Sequence, residues 1–121
     1  MAAGSKGGNM AATSSSGNGT QHQTPESLLT LAEYLELALD MGGSLIMMRR
    51  KVLACAMYIG DPFGSYNDLR SFGTIEASLA DEILRLTHAG INFLEIEGQP
   101  YRFVRRFTHI ASHGAIVFAP E

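Results

Sequence analysis

Ser44-Leu45-Ile46-Met47-Met48-Arg49-Arg50-Lys51-Val52-Leu53-Ala54-Cys55-Ala56-Met57-Tyr58-Ile59 is the stretch on which the fold turns. Leu45, Met48, Val52, Cys55 and Ile59 recur at three- and four-residue spacing, which predicts a helix capped by Ser44 and running to about Ile59. Ile46, Leu53 and Met57 widen its apolar face, so burial on more than one side is expected. Its charges are confined to Arg49, Arg50 and Lys51.

Upstream, Thr24-Pro25-Glu26 carries a helix-start signature: a threonine to cap, a proline at the first helical position and a carboxylate at the positive end. Leu28, Leu31, Ala32, Leu35, Ala38 and Leu39 then form one apolar stripe, with Glu33, Glu36 and Asp40 outside it and Gly42-Gly43 as the stop. The two segments together predict an N-terminal helical hairpin. Downstream, Asp61-Pro62-Phe63-Gly64 is a turn. Tyr66, Leu69 and Phe72 suggest a short helix over Ser65–Phe72. Thr74 then caps a longer one carrying Ile75, Leu79, Ile83 and Leu86, closed by Ala89-Gly90. The period changes after Gly90. Ile91–Glu97 and Tyr101–Phe107, joined by Gly98-Gln99-Pro100, read as a β-hairpin, and Gly114–Phe118 as a short third strand.

The chain has 121 residues, 45% of them hydrophobic and 17% charged, with a formal charge of −3. That length bounds it to one domain, and that balance excludes both a histone-like polycation and a wholly disordered acidic chain. Residues 1–24, rich in glycine and serine (Gly4, Gly7, Gly8, Ser14, Ser15, Ser16, Gly17, Gly19), are expected to be a disordered tail, leaving 25–121 as the folded domain. The N-terminus lacks the apolar core of a signal peptide, and charges interrupt every apolar run before it reaches membrane-span length. One cysteine, Cys55, forms no internal disulfide. A cytoplasmic protein with no membrane segment is expected.

Four helices followed by a hairpin and a short strand define an α+β class. From Arg49 to Phe107 the order and apolar pattern resemble the winged helix-turn-helix DNA-binding family. On that resemblance Arg50–Ile59, Ser65–Phe72 and Thr74–His88 would be the three helices, and Ile91–Phe107 the wing. The family resemblance implies a small DNA-binding protein, a transcriptional regulator contacting duplex DNA as a homodimer through its N-terminal helices. One departure stands out. The outward positions of the third helix, Glu76, Ser78, Asp81, Glu82 and Arg85, are mostly acidic, which opposes insertion between phosphates.

Positive charge lies elsewhere. Tyr101–Glu121 is net +2 while residues 25–100 are net −6. The candidate DNA contacts are therefore Arg102, Arg105 and Arg106 on the wing, with Arg49, Arg50, Lys51 and Arg85 adding to the footprint. Each has a structural alternative: an Arg-Arg step also serves as a solvated strand edge, and Arg49-Arg50-Lys51 also offsets the acidic first helix. The stripe of the first helix suits either a dimer partner or the protein's own core.

No catalytic or cofactor pattern emerges. His109 and His113 have metal-ligand spacing, but no third ligand accompanies them. Cys55 sits on an apolar stripe as an inert thiol, and the glycines lack phosphate-binding spacing. The rival reading is a protein–protein adaptor or dimeric chaperone, favoured by acidic helices and by Met41, Met47, Met48 and Met57, since methionine suits adaptable contact surfaces.

Overall fold

Ser44–Ile59 folds as a β-hairpin in the computed structural model, which describes residues 23–121. Strand β1 (Ser44–Lys51) turns at Val52-Leu53 and returns as β2 (Ala54–Gly60). The register runs from Ser44↔Gly60 to Lys51↔Ala54, with an irregularity between Arg49 and Lys51. Leu45, Ile46, Met47 and Met48 are all buried. A continuous apolar run of this kind marks a strand covered on both faces, and it mimics a buried helix in sequence. Val52 and Leu53, read as helix-face residues, are instead the exposed tip of the turn, at 82% and 79%.

The expected four-helix architecture is therefore corrected. The described residues hold two α-helices, α1 (Glu26–Met41) and α2 (Ala77–Leu86), and a six-stranded antiparallel sheet. Beyond β1 and β2 the strands are β3 (Arg70–Glu76), β4 (Gly90–Ile96), β5 (Gln99–Ile110) and β6 (His113–Pro120). The order across the sheet is β3-β2-β1-β6-β5-β4. The Ser65–Phe72 helix shrinks to a single 3-10 turn, Tyr66–Asp68, and Thr74 lies within β3 rather than capping α2. The helical hairpin and the recognition-helix order are thus absent from the described residues, while the Ile91–Phe107 hairpin and the strand after it are present. The expected tail lies, except for its last two residues, outside the described residues.

Helix α1 begins and ends close to its sequence signals. Pro25 precedes the first turn and its carbonyl accepts from Leu28 N and Leu29 N. Thr24 does not cap; its hydroxyl donates to Glu97 Oε2 at 2.6 Å, tying the chain before α1 to the β4–β5 turn. At the other end Gly42 takes φ 69°, Gly42 N donates to Leu39 O and Gly43 N to Ala38 O, a C-terminal motif that glycine adopts without strain.

Both helices cover one face of the sheet. Leu31, Leu35 and Ala38 of α1 and Ala80 and Ile83 of α2 pack on Leu45, Met47, Cys55, Met57, Ile59, Phe103 and Phe118. Each large side chain so buried stabilises the fold by about 1.5–3 kcal/mol. Thus the stripe of α1 covers the protein's own core. The opposite face carries a smaller cluster of Ile46, Met48, Ile110, Ala115 and Val117. Tyr66 and Leu69, from the loop between β2 and β3, pack over it.

Candidate nucleic-acid interface

Side chains alternate between the faces of a strand, so neighbouring residues point apart. In β5 this separates Arg105 from Arg106. Arg105 faces the helices, where its Nη1 donates to Leu84 O at 2.9 Å and to Thr87 Oγ1 at 2.8 Å. Thr87 Oγ1 in turn donates to Ile83 O at 2.8 Å. Arg105 thereby neutralises the carbonyl end of α2, where a cation is favoured.

Arg102 and Arg106 project from the opposite face, four residues apart and so about 14 Å along the strand. Each guanidinium lies over an exposed phenylalanine: Arg102 is 4.9 Å from the Phe93 ring centroid, and Arg106 is 5.1 Å from that of Phe63. Phe63 belongs to the β2–β3 loop, whose Asp61 Oδ1 accepts from Phe63 N at 2.9 Å. Farther along the same loop, Tyr66 meets Arg50 of β1. Arg50 Nη1 donates to Tyr58 Oη at 2.8 Å and Tyr66 Oη at 3.2 Å, and the two hydroxyls are 3.3 Å apart. The hydrogen bond from Tyr58 and the Arg50 guanidinium hold the Tyr66 hydroxyl below the usual tyrosine range. Tyr58 shifts upward, chiefly through its hydrogen bond to Tyr66. Arg50 shifts upward too, mainly through its hydrogen bond to Tyr66.

The remaining sequence candidates lie outside this strip. Arg49 faces the helices and pairs with Asp81 at 2.7 Å, and Arg85, on α2, pairs with Glu82 at 3.2 Å. Lys51 is exposed at the β1–β2 turn. Arg102 has a carboxylate partner, Glu121, at 3.0 Å. The seven candidates thus do not share one surface. Three of them, Arg50, Arg102 and Arg106, share the outer face of the sheet with Tyr58, Tyr66, Phe63 and Phe93. Sequence reasoning missed the aromatic half of this set. Strand parity within Tyr101–Phe107 was the available signal, since it alone puts Arg102 and Arg106 on one side and Arg105 on the other.

Other features gather less chemistry. A cleft of about 640 Å³ beside the C-terminal end of α1 is lined by Leu39, Met41, Ile59, Asp61, Pro62 and Pro120 among others. Its carboxylate, Asp61, is already engaged by the backbone of Phe63. No group of three or more potential metal ligands exists among the described residues. His109 instead stacks edge-on with Phe107 at 5.1 Å. No helix among the described residues is long and apolar enough to cross a membrane. Cys55 is buried, and burial pushes its thiol up, partly opposed by Arg49. Compared with protein-family models, curated proteins and solved structures, the chain matches none.

Proposed function

We propose that the chain is a nucleic-acid-binding protein, not an enzyme, that holds a single-stranded segment of DNA or RNA on the outer face of its sheet. The observation that carries this reading is the pairing of Arg102 and Arg106, on one face of β5, with the exposed rings of Phe93 and Phe63. Guanidinium groups engage phosphates while flat rings accept bases from any sequence, the combination used by stacking platforms for single strands. Duplex insertion is disfavoured on two grounds. The outward side of α2 carries Asp81 and Glu82, and a six-stranded face, about 24 Å across, exceeds the ~12 Å major groove. The reading includes a cytoplasmic location, where Cys55 stays a thiol.

Fluorescence anisotropy with labelled single-stranded DNA, single-stranded RNA and duplex DNA tests it. Single strands bind more tightly than duplex. With Arg50, Arg102 and Arg106 engaged, affinity falls about 20-fold between 50 and 200 mM salt. Arg102→Glu/Arg106→Glu abolishes binding. No binding at low salt, or binding indifferent to the charge reversal, overturns the proposal. A second reading, a protein–protein adaptor, is favoured by the exposed Val52-Leu53 tip; capture of one protein partner, lost on Val52→Ser/Leu53→Ser, with no nucleic-acid binding, decides for it.

A further inference from the structure

The two edges of the sheet are not alike. At β3 the ladder with β2 shifts register between Ala56 and Tyr58, and Gly73 takes φ 89°, so this edge is interrupted. At the other edge, β4 pairs with β5 from Gly90↔Arg105 to Ile96↔Gln99 without any shift. Glu97 and Gly98, at φ 54° and 79°, form the two-residue left-handed turn that closes this hairpin on a hydrogen-bonded Ile96–Gln99 pair. Alternation then makes Glu95↔Pro100, Phe93↔Arg102 and Ile91↔Val104 the non-hydrogen-bonded pairs. Pro100, which has no N–H, fits there.

It follows that the backbone N–H and C=O groups of Ile91, Phe93 and Glu95 point away from β5, into an edge that pairs with no other strand among the described residues. Natural edges are usually blunted by lysine, proline or a bulge. Gly90–Ile96 has none of these and carries one charge, Glu95. Its outer-face side chains Ile91 and Phe93 are exposed at 49% and 69%.

We infer that β4 is the seam of a homodimer, in which two copies pair this strand antiparallel about a two-fold axis normal to the sheet. A second copy fits because an antiparallel edge is its own complement about such an axis. In the register that sets Ile91 of one copy opposite Phe93 of the other, the apolar pair forms twice. Glu95 of each copy then avoids its twin and falls just beyond Gly90, where the other copy's strand begins. The axis keeps both outer faces on the same side, so the two strips of Arg102 and Arg106 become neighbours. The seam stands on backbone geometry and does not depend on the nucleic-acid reading.

The test is light scattering after size exclusion on the full chain without nucleic acid, from micromolar to millimolar concentration, with sedimentation equilibrium for the dissociation constant. The wild type is dimeric. Ile91→Lys raises the dissociation constant about tenfold or more, since each dimer loses the apolar contact twice. Ile91→Pro, which removes the outward N–H together with the isoleucine side chain, does the same, and circular dichroism reports that both variants stay folded. Leu39→Lys, on the exposed side of α1, leaves the dimer intact. A monomer at every concentration overturns the seam. So does a dimer that survives both Ile91 variants, or one that Leu39→Lys dissolves.

Discussion

Adjacent arginines on β5 should respond in opposite ways to the same substitution. Arg105→Met keeps the aliphatic stem but removes the Nη1 donor that holds Leu84 O and Thr87 Oγ1 at 2.9 and 2.8 Å. Hydrogen bonds to a charged donor contribute about 1.5–3 kcal/mol each, but these two share one nitrogen, so about 2 kcal/mol in total is reasonable. Loss of the cation at the carbonyl end of α2 is included in that figure. For a domain of this size, a loss of about 2 kcal/mol lowers Tm by roughly 10 °C. Arg106→Met removes an exposed guanidinium whose structural contact is the Phe63 ring, worth about 0.5–1 kcal/mol. Urea denaturation followed by circular dichroism gives both stabilities, and anisotropy with a single-stranded oligonucleotide gives both affinities. The expected pattern is a destabilised Arg105→Met with unchanged affinity, and a nearly native Arg106→Met with weakened affinity. Equal stability losses, or an affinity loss confined to Arg105→Met, would refute the assignment of the two side chains to separate faces with separate tasks.

Three other outcomes follow from single observations. Ala111 and Ser112 both adopt positive φ, 52° and 69°, in the β5–β6 turn, a conformation suited to Asn-Gly; Ala111→Asn/Ser112→Gly raises stability by about 1–2 kcal/mol, read as an increased Tm. Ser27 is buried and its Oγ has no hydrogen-bond partner among the described residues, so Ser27→Ala leaves stability unchanged or raises it by about 1 kcal/mol in urea titration. The Cys55 thiol, raised mainly by burial, holds its proton more firmly folded than unfolded. Its contribution is therefore complete below the unfolded thiol pKa of ~8.5 and is lost as pH rises beyond it, which Cys55→Ala flattens in a stability–pH profile above pH ~9.

Local chemistry was the legible part of this sequence. Gly42-Gly43 stops α1, Leu28, Leu31, Leu35 and Ala38 of its stripe face the core while Leu39 stays half exposed, and the change of period after Gly90 marks real strands. What misled was Ser44–Ile59. Its apolar residues satisfy a helical spacing, but a strand buried on both faces has no alternation to betray it, and Arg49-Arg50-Lys51 looks equally natural midway along a helix or approaching a hairpin turn. Taking that segment as helix removed β1 and β2, of which β1 is the strand that β6 pairs with, and supplied a false order of elements. The site was half legible. The arginines were visible as a charge imbalance, whereas Phe63 reaches Arg106 only through a loop crossing the sheet, a long-range contact that no local pattern encodes.

The neighbourhood of β1 and β6 at the middle of the sheet sets a timetable for biosynthesis. While the ribosome is still making residues 113–120, β1 has a partner on one flank only, and its apolar residues Ile46 and Met48 lack the Ala115 and Val117 side chains that later accompany them. Everything from α1 to β5 must wait for that closing insertion, a pairing across roughly seventy positions that makes folding slow and leaves the nascent chain dependent on shelter from aggregation until β6 emerges.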